Sequence, residues 1–260
     1  MKVKAKKHLG QHFLMDASIC QRIVDSIPFE KTQNVLEIGP GTGALTKWLL
    51  KEKKIKSLFL MDVDQESIAY LNQVFSELSE RIFLADFLHF NIDEFLENES
   101  FNVVGNFPYN ISSQILFRCL EFKDRIPEIV GMFQREVAQR IAQGPGNKQY
   151  GILSVFMQAY YDIEYLFTVD EDVFDPPPKV KSGVIRCVRN SRRSLPCDEK
   201  LFKTVVKTAF NQRRKTMRNS LKSLLGATIL PEKFSGERPE QCSVEDFIEL
   251  TNLIEGNRNA

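Results

Sequence analysis

Residues 35–44 read Val-Leu-Glu-Ile-Gly-Pro-Gly-Thr-Gly-Ala, an apolar run followed at once by a glycine-rich segment. The run from Val35 to Ile38 predicts a short buried strand, and the glycines predict a tight turn. Helical spacing begins at Ala44. Glycines at such a turn let backbone amides and a helix N-terminus come close to a ligand. The stretch therefore indicates a loop that binds a nucleoside cofactor, with a plain strand-to-helix turn as the structural alternative.

The same alternation of strands and helices continues over the first 190 residues. Strands that alternate with helices at this spacing usually form a parallel sheet. The sequence therefore predicts an α/β fold. Further strands are expected at Ser57–Met61, Arg81–Ala85, Phe101–Gly105, Ile129–Phe133, Tyr165–Val169 and Gly183–Val188.

A smaller domain is predicted after the sheet. Residues 190–196, Asn-Ser-Arg-Arg-Ser-Leu-Pro, have the composition of a linker. Beyond this linker, apolar residues recur at helical spacing from Phe202 to Leu225. We therefore expect residues 1–191 to form the sheet domain and residues 192–260 to form a helical domain.

Composition excludes several classes of protein. Of the 260 residues, 43% are hydrophobic and 27% are charged, which is typical of globular proteins. No apolar run approaches the roughly 18 residues that a membrane helix needs. The five cysteines are scattered, and the three histidines are too far apart for a metal-binding pair. We expect a soluble cytoplasmic protein with no metal site and no membrane partner.

Charge is segregated along the chain, although the net charge is only +1. Residues 179–222 carry 14 Lys or Arg against two acidic residues, a local charge of +12, so the remainder carries −11. This asymmetry indicates a polyanionic partner, nucleic acid before membrane. A solvated helical face is the alternative interpretation.

Two classes of cofactor fit the glycine loop. Gly39, Gly41 and Ala44 satisfy the dinucleotide pattern G-x-G-x-x-G/A. Asp62 or Asp64, at the end of the second strand, is placed to bind ribose hydroxyls. A nicotinamide-dependent oxidoreductase is therefore an open alternative on this evidence.

Three acidic or amide positions favour S-adenosylmethionine instead. Glu37 precedes the loop, where an acid suits a cationic amino-acid ligand and would repel a diphosphate. Asp86 follows the third strand and can accept the adenine amino hydrogen. The fourth strand leads into Asn106. All three lie at the predicted carboxyl ends of parallel strands, where open α/β sheets bind ligands.

Residues 106–109, Asn-Phe-Pro-Tyr, suit methylation of an exocyclic amine on a base. Such an amine is a poor nucleophile because its lone pair is delocalised into the ring. The Asn106 side-chain oxygen and the backbone carbonyl near Pro108 can accept its two hydrogens, and Tyr109 offers a ring on which the base can stack. The rate would then come mostly from holding the amine in line with the sulfonium methyl. A turn that closes a strand is the structural alternative.

Several motifs in the same order resemble the small-subunit rRNA adenine N6,N6-dimethyltransferases, the family of the bacterial kasugamycin-sensitivity enzyme. They are Lys7–Leu14, Glu37–Gly43, Gly105–Ser113, Phe174–Ser182 and Phe210–Arg218, and together they cover nearly the full length. The resemblance implies a Rossmann-like class I S-adenosylmethionine-dependent methyltransferase sheet of seven strands with an α-helical C-terminal domain. It also implies that two adjacent adenosines near the 3′ end of the rRNA are each methylated twice.

The resemblance also assigns roles to individual residues. It implies that His12 and Leu14 border the cofactor and that Gly39 lies beside its methionine part. It places Asp62 at the ribose, Asp86 at the adenine, and Asn106 between the cofactor and the target amine. Two positions depart from the family: Phe107 stands where Leu is commonest, and Asp62 where Glu is more frequent.

The family also gives the basic segment a role in binding rRNA. Basic residues recur every four positions, which places them on one helix face where they suit phosphates. Phe174 is a candidate second aromatic for the target base, with a loop anchor as the alternative. Lys2, Lys4, Lys6 and Lys7 are expected to add to the basic surface. The candidate RNA-binding cations are Lys203, Lys207, Arg213, Arg214, Lys215, Arg218 and Lys222.

The sequence leaves two alternative functions open beside this one. One is a large-subunit rRNA adenine N6-methyltransferase, and the other is an RNA-binding ribosome assembly factor with secondary activity. The expected partner is small-subunit rRNA within a pre-mature small ribosomal subunit, with a role in subunit maturation. Nothing in the sequence requires an oligomer, so a monomer is expected.

Overall fold

The computed structural model describes residues 3–226 and 229–258. The chain folds into two compact units. The first contains residues 1–138 and 162–189, and the second contains residues 139–161 and 190–260. The domain division at residues 191 and 192 stays a prediction. The observed units differ from it in residues 139–161, which group with the C-terminal residues.

The chain has nine strands in the described residues. They are β1 (Phe13–Leu14), β2 (Asn34–Ile38), β3 (Ser57–Asp62), β4 (Ile82–Leu84), β5 (Asn102–Asn106), β6 (Glu128–Gln134), β7 (Tyr161–Val169), β8 (Phe174–Asp175) and β9 (Ser182–Arg189). Seven of them form one sheet in the order β4-β3-β2-β5-β6-β9-β7. The other two, β1 and β8, pair antiparallel with each other.

The helices in the described residues follow the strands in the first unit and dominate the second. They are α1 (Ala17–Asp25), α2 (Thr46–Leu49), α3 (Gln65–Val74), α4 (Ser112–Glu121), α5 (Arg135–Ala142), α6 (Ile152–Gln158), α7 (Glu199–Asn211), α8 (Met217–Ser220), α9 (Lys222–Leu225), α10 (Glu232–Ser235) and α11 (Val244–Arg258). Acidic caps fix several starts. The Asp16 carboxylate accepts the Ser18 and Ile19 amides before α1, and Asp64 accepts the Glu66 amide before α3.

The order of the strands places a ligand site. Strands β2 to β6 run parallel, and the chain order reverses between β2 and β5, which are neighbours at the centre of the sheet. All five residues of β2 are buried, as expected for a strand covered on both faces. Open α/β sheets bind ligands at the carboxyl ends of the strands beside such a reversal. The fold therefore brings the ends of β2, β3 and β5 to one place.

The second unit is packed around aromatic side chains of its helices. Asp198 caps α7, whose apolar face is buried. The ring of Phe210 lies 5.9 Å from the ring of Phe247 and 6.3 Å from that of Tyr150, and Phe156 lies 6.1 Å from Phe202. These contacts explain why the predicted helical spacing after residue 200 gives stable helices.

The predicted α/β sheet is confirmed, with two differences. Strand β9 runs antiparallel to β6, so the sheet is mixed. The sequence did not predict this direction, because strand periodicity carries no information about whether a strand runs parallel or antiparallel to its neighbour. Helix α2 is limited to Thr46–Leu49, with turns on both sides. Across the described residues, no helix has both the length and the apolar composition to span a membrane.

Candidate functional site

A cleft opens at the carboxyl ends of β2, β3 and β5. The N-terminal segment around β1 forms another of its walls. Nine of the residues singled out from the sequence therefore lie together, although they are spread over 98 positions of the chain. Those that line the cleft are His12, Leu14, Glu37, Gly39, Gly41, Asp62, Asn106, Pro108 and Tyr109.

The glycine loop needs its glycines for both conformation and space. Gly39 and Gly41 have φ angles of +67° and +55°, which L side chains rarely adopt. A Cβ at Gly41 would lie 2.7 Å from a carbon of the Phe13 ring. Phe13 therefore packs directly against the loop, a contact that no sequence pattern indicates. The loop is held open to a ligand on its other side.

Glu37 is a buried carboxyl group at the end of β2. It is 2% exposed, and the Thr46 hydroxyl donates to its Oε2 at 2.6 Å. Burial raises the pKa of Glu37 to about 8, although the Thr46 hydrogen bond acts in the opposite direction. The unliganded site thus favours a neutral Glu37, which a cationic ligand would convert to the carboxylate.

Asp62 connects the end of β3 to the glycine loop. Its two oxygens accept the backbone amides of Gly41 at 3.1 Å and Asp64 at 2.9 Å. Burial raises its pKa, while these hydrogen bonds lower it. Both bonds hold the side chain in one orientation at the edge of the cleft. Each oxygen keeps a further lone pair for a ligand hydroxyl.

Asn106 is oriented by the N-terminal segment. Its Nδ2 donates to the His12 carbonyl at 2.8 Å, which leaves the side-chain Oδ1 as the acceptor atom. The His12 Nδ1 donates in turn to the Pro176 carbonyl at 2.7 Å. A backbone contact between residues 94 positions apart thus sets the direction of the Asn106 amide.

Tyr109 is held at its ring and at its hydroxyl. Its ring stacks on His12 with centroids 5.5 Å apart and an interplanar angle of 27°. Its hydroxyl shares a short hydrogen bond with the Ser182 hydroxyl at the start of β9. Burial raises the pKa of the phenol. Sequence reasoning missed Ser182, Thr46 and the Pro176 carbonyl. Ser182 and Pro176 are distant in the chain from their partners Tyr109 and His12, and Thr46 belongs to the helix after the loop, where no motif marks it.

Lys6 of the basic lead-in is engaged inside the first unit, whereas Lys4 and Lys7 are exposed. The Lys6 ammonium lies 2.6 Å from Asp64 and 3.2 Å from Glu66. The Gln11 side-chain amide also donates to Asp64, at 3.2 Å. These bonds tie the N-terminal segment to the start of α3. Of the other predicted cations of this segment, Lys2 lies outside the described residues.

Two predicted site residues do not line the cleft. The Asp86 side chain is 41% exposed and bonds within its own loop, to the Leu88 amide at 2.9 Å and to His89 at 2.8 Å. Phe174 is only 4% exposed and pairs with Leu14 across β1 and β8. A ring buried in this way would have to leave the core before it could stack on a base. The structure therefore favours the anchoring interpretation of Phe174.

The predicted RNA-binding cations lie in the second unit, and one of them differs from the rest. Arg213 is half-buried and donates to the Lys148 carbonyl, and its Nε lies 3.6 Å from Glu240. Arg213 therefore joins two segments of the second unit. The other six are exposed: Lys203, Lys207, Arg214, Lys215, Arg218 and Lys222.

Comparison with known proteins places the chain among rRNA-modifying enzymes. Residues 2–255 match the profile of the family described as ribosomal RNA adenine dimethylase. A protein of Flavobacterium johnsoniae named ribosomal RNA small subunit methyltransferase A is 57% identical over 257 residues, 98% of each chain. A protein of the same name from Porphyromonas gingivalis is 56% identical over 258 residues, 98% of this chain and 99% of its own.

Solved structures share the fold over most of the chain. A dimethyladenosine transferase from Plasmodium falciparum superposes with a TM-score of 0.78 at 22% identity and covers 95% of this chain and 98% of its own. The 23S rRNA methyltransferase ErmE superposes with a TM-score of 0.66 at 25% identity, over 92% of this chain and 99% of its own.

Proposed function

The chain belongs to the ribosomal RNA adenine dimethylase family, whose enzymes depend on S-adenosylmethionine, and we propose that it dimethylates the N6 amines of two adjacent adenosines near the 3′ end of small-subunit rRNA. The observation that carries this proposal is the orientation of Asn106, whose amide nitrogen is bonded to the His12 carbonyl inside the cleft. The names of relatives at 56–57% identity support the small subunit.

The cleft fits S-adenosylmethionine in shape and charge. Its glycine loop lines the cleft, and the buried acid Glu37 stands where the cationic amino-acid part would lie. A dinucleotide fits less well, because its pyrophosphate could form no ion pair with Glu37 and would only keep that group neutral, whereas a cationic amino group would pair with the carboxylate. This contrast disfavours the nicotinamide alternative.

We assign the cofactor contacts to residues of the cleft. Gly39, Gly41 and Glu37 would hold the methionine part, and Asp62 the ribose hydroxyls. His12 and Leu14 would border the cofactor from the N-terminal segment. Asp86 would receive the adenine amine on a remaining lone pair of its carboxylate, each oxygen of which takes part in one bond within the loop.

The reacting amine would be held by two groups of the chain. When bound, the cofactor supplies an electrophilic methyl group on its sulfonium. The Asn106 Oδ1 accepts one N6 hydrogen. The carbonyl of Pro108, which already accepts the Ile111 amide at 3.1 Å, keeps one lone pair for the other. These two bonds favour the geometry in which the lone pair of the amine is localised.

Tyr109 would fix the plane of the target base. One face of its ring is covered by His12, so the base would stack on the other face. The Ser182 hydroxyl holds the ring against rotation out of the cleft. No strong general base is required, since the proton leaves after the amine has become cationic. The rate acceleration comes mainly from positioning.

The partner we propose is small-subunit rRNA within a pre-mature small ribosomal subunit in the cytoplasm, with the enzyme acting as a monomer. Six exposed cations of the second unit support contacts to phosphates. We assign Arg213 a structural role in that surface, because its guanidinium contacts the Lys148 carbonyl and Glu240 within the unit.

Mapping of the modified bases tests the assignment of substrate. The purified enzyme and S-adenosylmethionine would be added to unmethylated small and large ribosomal subunits, and the stops of reverse transcription located on both rRNAs. We expect two adjacent stops near the 3′ end of the small-subunit rRNA. Stops confined to the large-subunit rRNA would contradict the proposal and support the alternative large-subunit activity.

A further inference from the structure

Phe107 differs from its neighbours in the segment Asn106–Tyr109. It is 1% exposed, whereas the flanking Asn106 and Pro108 are partly exposed. Its backbone amide donates to the Met132 carbonyl of β6 at 3.2 Å. Phe107 therefore anchors the segment to the sheet, and it also lines the cleft together with Asn106 and Pro108.

The Phe107 ring occupies a hollow that two glycines create. Gly105 on β5 and Gly131 on β6 are paired directly in the register of the sheet. A Cβ at Gly105 would lie 2.9 Å from the Cε1 of Phe107, and a Cβ at Gly131 would lie 2.8 Å from its Cδ2 and nearer still to its Cε2. On a further side, the ring meets Phe133 edge to face, with centroids 5.2 Å apart and an angle of 71°.

We propose that Gly131 is a positioning residue for methyl transfer: its lack of a side chain seats the Phe107 ring, and this seat sets the place of Asn106 and Tyr109. The inference rests on the proposed function. Gly131 lies on β6 and is not among the residues that line the cleft, so it acts through the rings packed against it, most directly Phe107, which does line the cleft; a Cβ at Gly131 would also lie 3.0 Å from the Phe133 ring.

The size of the effect follows from the contact distances. Carbon atoms in van der Waals contact lie about 3.5–4.0 Å apart, so a methyl group at position 131 displaces the ring by roughly 1 Å. A displacement of about 1 Å at reacting groups costs up to roughly 100-fold in rate. Gly131→Ala should therefore lower kcat about 10- to 100-fold. The Kd for S-adenosylmethionine should stay within about twofold, because Glu37 and Asp62 lie on β2 and β3.

A smaller side chain at position 107 should reverse the defect. Leu has fewer atoms beyond Cγ than Phe, so the double variant Phe107→Leu/Gly131→Ala fills the hollow with less overlap. Phe107→Leu alone should be mildly impaired by the unfilled volume. The methyl group at position 131 should then lower kcat when residue 107 is Phe, and leave kcat unchanged or raise it when residue 107 is Leu.

The test compares five proteins: wild type, the two single variants, the double variant and Gly256→Ala. Gly256 is a matched control, because a Cβ there meets no atom within 4 Å. For each protein, kcat on unmethylated small subunits, the Kd for S-adenosylmethionine, Tm, and hydrogen exchange of a peptide covering residues 104–111 would be measured. Exchange of this peptide should quicken in Gly131→Ala and return to normal in the double variant.

Each outcome decides the proposal. Loss of kcat in Gly131→Ala with its recovery in the double variant supports it. Unchanged kcat in a folded Gly131→Ala overturns it, as does recovery of Tm without recovery of kcat. If the single variant does not fold, the double variant must equal or exceed Phe107→Leu in kcat. An inactive wild type would refute the proposed function, and the exchange data alone would then decide whether positions 107 and 131 are coupled.

Discussion

Cofactor binding should release a proton from Glu37. Burial raises the pKa of this carboxyl group to about 8, so about nine in ten unliganded molecules carry a neutral Glu37 at pH 7. A ligand with a cationic amino-acid group favours the carboxylate and lowers that pKa. Binding at pH 7 should therefore release up to about 0.9 proton per molecule.

The same linkage sets the pH dependence of affinity. Only about a tenth of the unliganded molecules hold the carboxylate at pH 7, so the apparent affinity is roughly tenfold below that of the ionised protein. It should improve about ninefold between pH 6 and pH 7. In the absence of cofactor, the stability of the folded protein depends on pH in the opposite direction. Because the folded pKa lies above the ordinary 4.5, stability falls as the pH rises from about 4.5 through about 8.

Calorimetric titration with S-adenosylmethionine between pH 6 and pH 7.5, in buffers of different ionisation enthalpy, counts the released protons. Glu37→Gln is the matched control, because it keeps the shape and cannot ionise. It should bind with an affinity that hardly depends on pH, and its Tm at pH 8 should exceed that of the wild type. A wild type that releases no proton on binding, or a Glu37→Gln variant that releases as many protons as the wild type, would refute the assignment of the released proton to Glu37.

Three further predictions concern the glycine loop, the stacking of the target base on Tyr109, and the basic residues of the second unit. Gly41→Ala should weaken cofactor binding at least tenfold in equilibrium titrations, because its φ is +55° and the new Cβ would meet Phe13; unchanged binding would contradict the loop assignment. Tyr109→Phe should keep most activity in the methyl-transfer assay, whereas Tyr109→Ala should lose about 10- to 100-fold in kcat/KM. Equal activities of these two variants would exclude stacking of the target base on the ring of residue 109. Lys207→Ala should reduce the slope of log affinity for rRNA against log salt by about one. Arg213→Ala should instead lower Tm by a few degrees, and a salt slope equal to that of Lys207→Ala would refute its structural role.

The sheet and the cofactor cleft were largely predictable from local sequence. The apolar run at Val35 and the glycines after it determine a strand and a turn within ten residues. Both elements are found in the structure where this local pattern predicts them. The ends of β3 and β5 followed from the rule that parallel strands present their carboxyl ends together. The family motifs then placed Asn106 in the cleft before its contacts were known.

What the sequence could not predict depends on contacts between distant residues. The bond from Asn106 to the His12 carbonyl and the one from Tyr109 to Ser182 join segments that no periodicity relates. The burial of Phe174 likewise depends on its pairing with Leu14, which no sequence pattern indicates. The pairing of Gly105 with Gly131 likewise requires the register of two strands, and a sequence pattern does not supply a register.

The role of Asn106 in methyl transfer is tested by measuring the transfer of labelled methyl groups from S-adenosylmethionine to unmethylated small ribosomal subunits by the wild type and by Asn106→Ala. We expect N6,N6-dimethyladenosine in the rRNA with the wild type only, at equal cofactor affinity for both proteins. Equal label with Asn106→Ala would contradict the role of this side chain. Absence of label with a wild type that binds the cofactor tightly would contradict the proposed substrate.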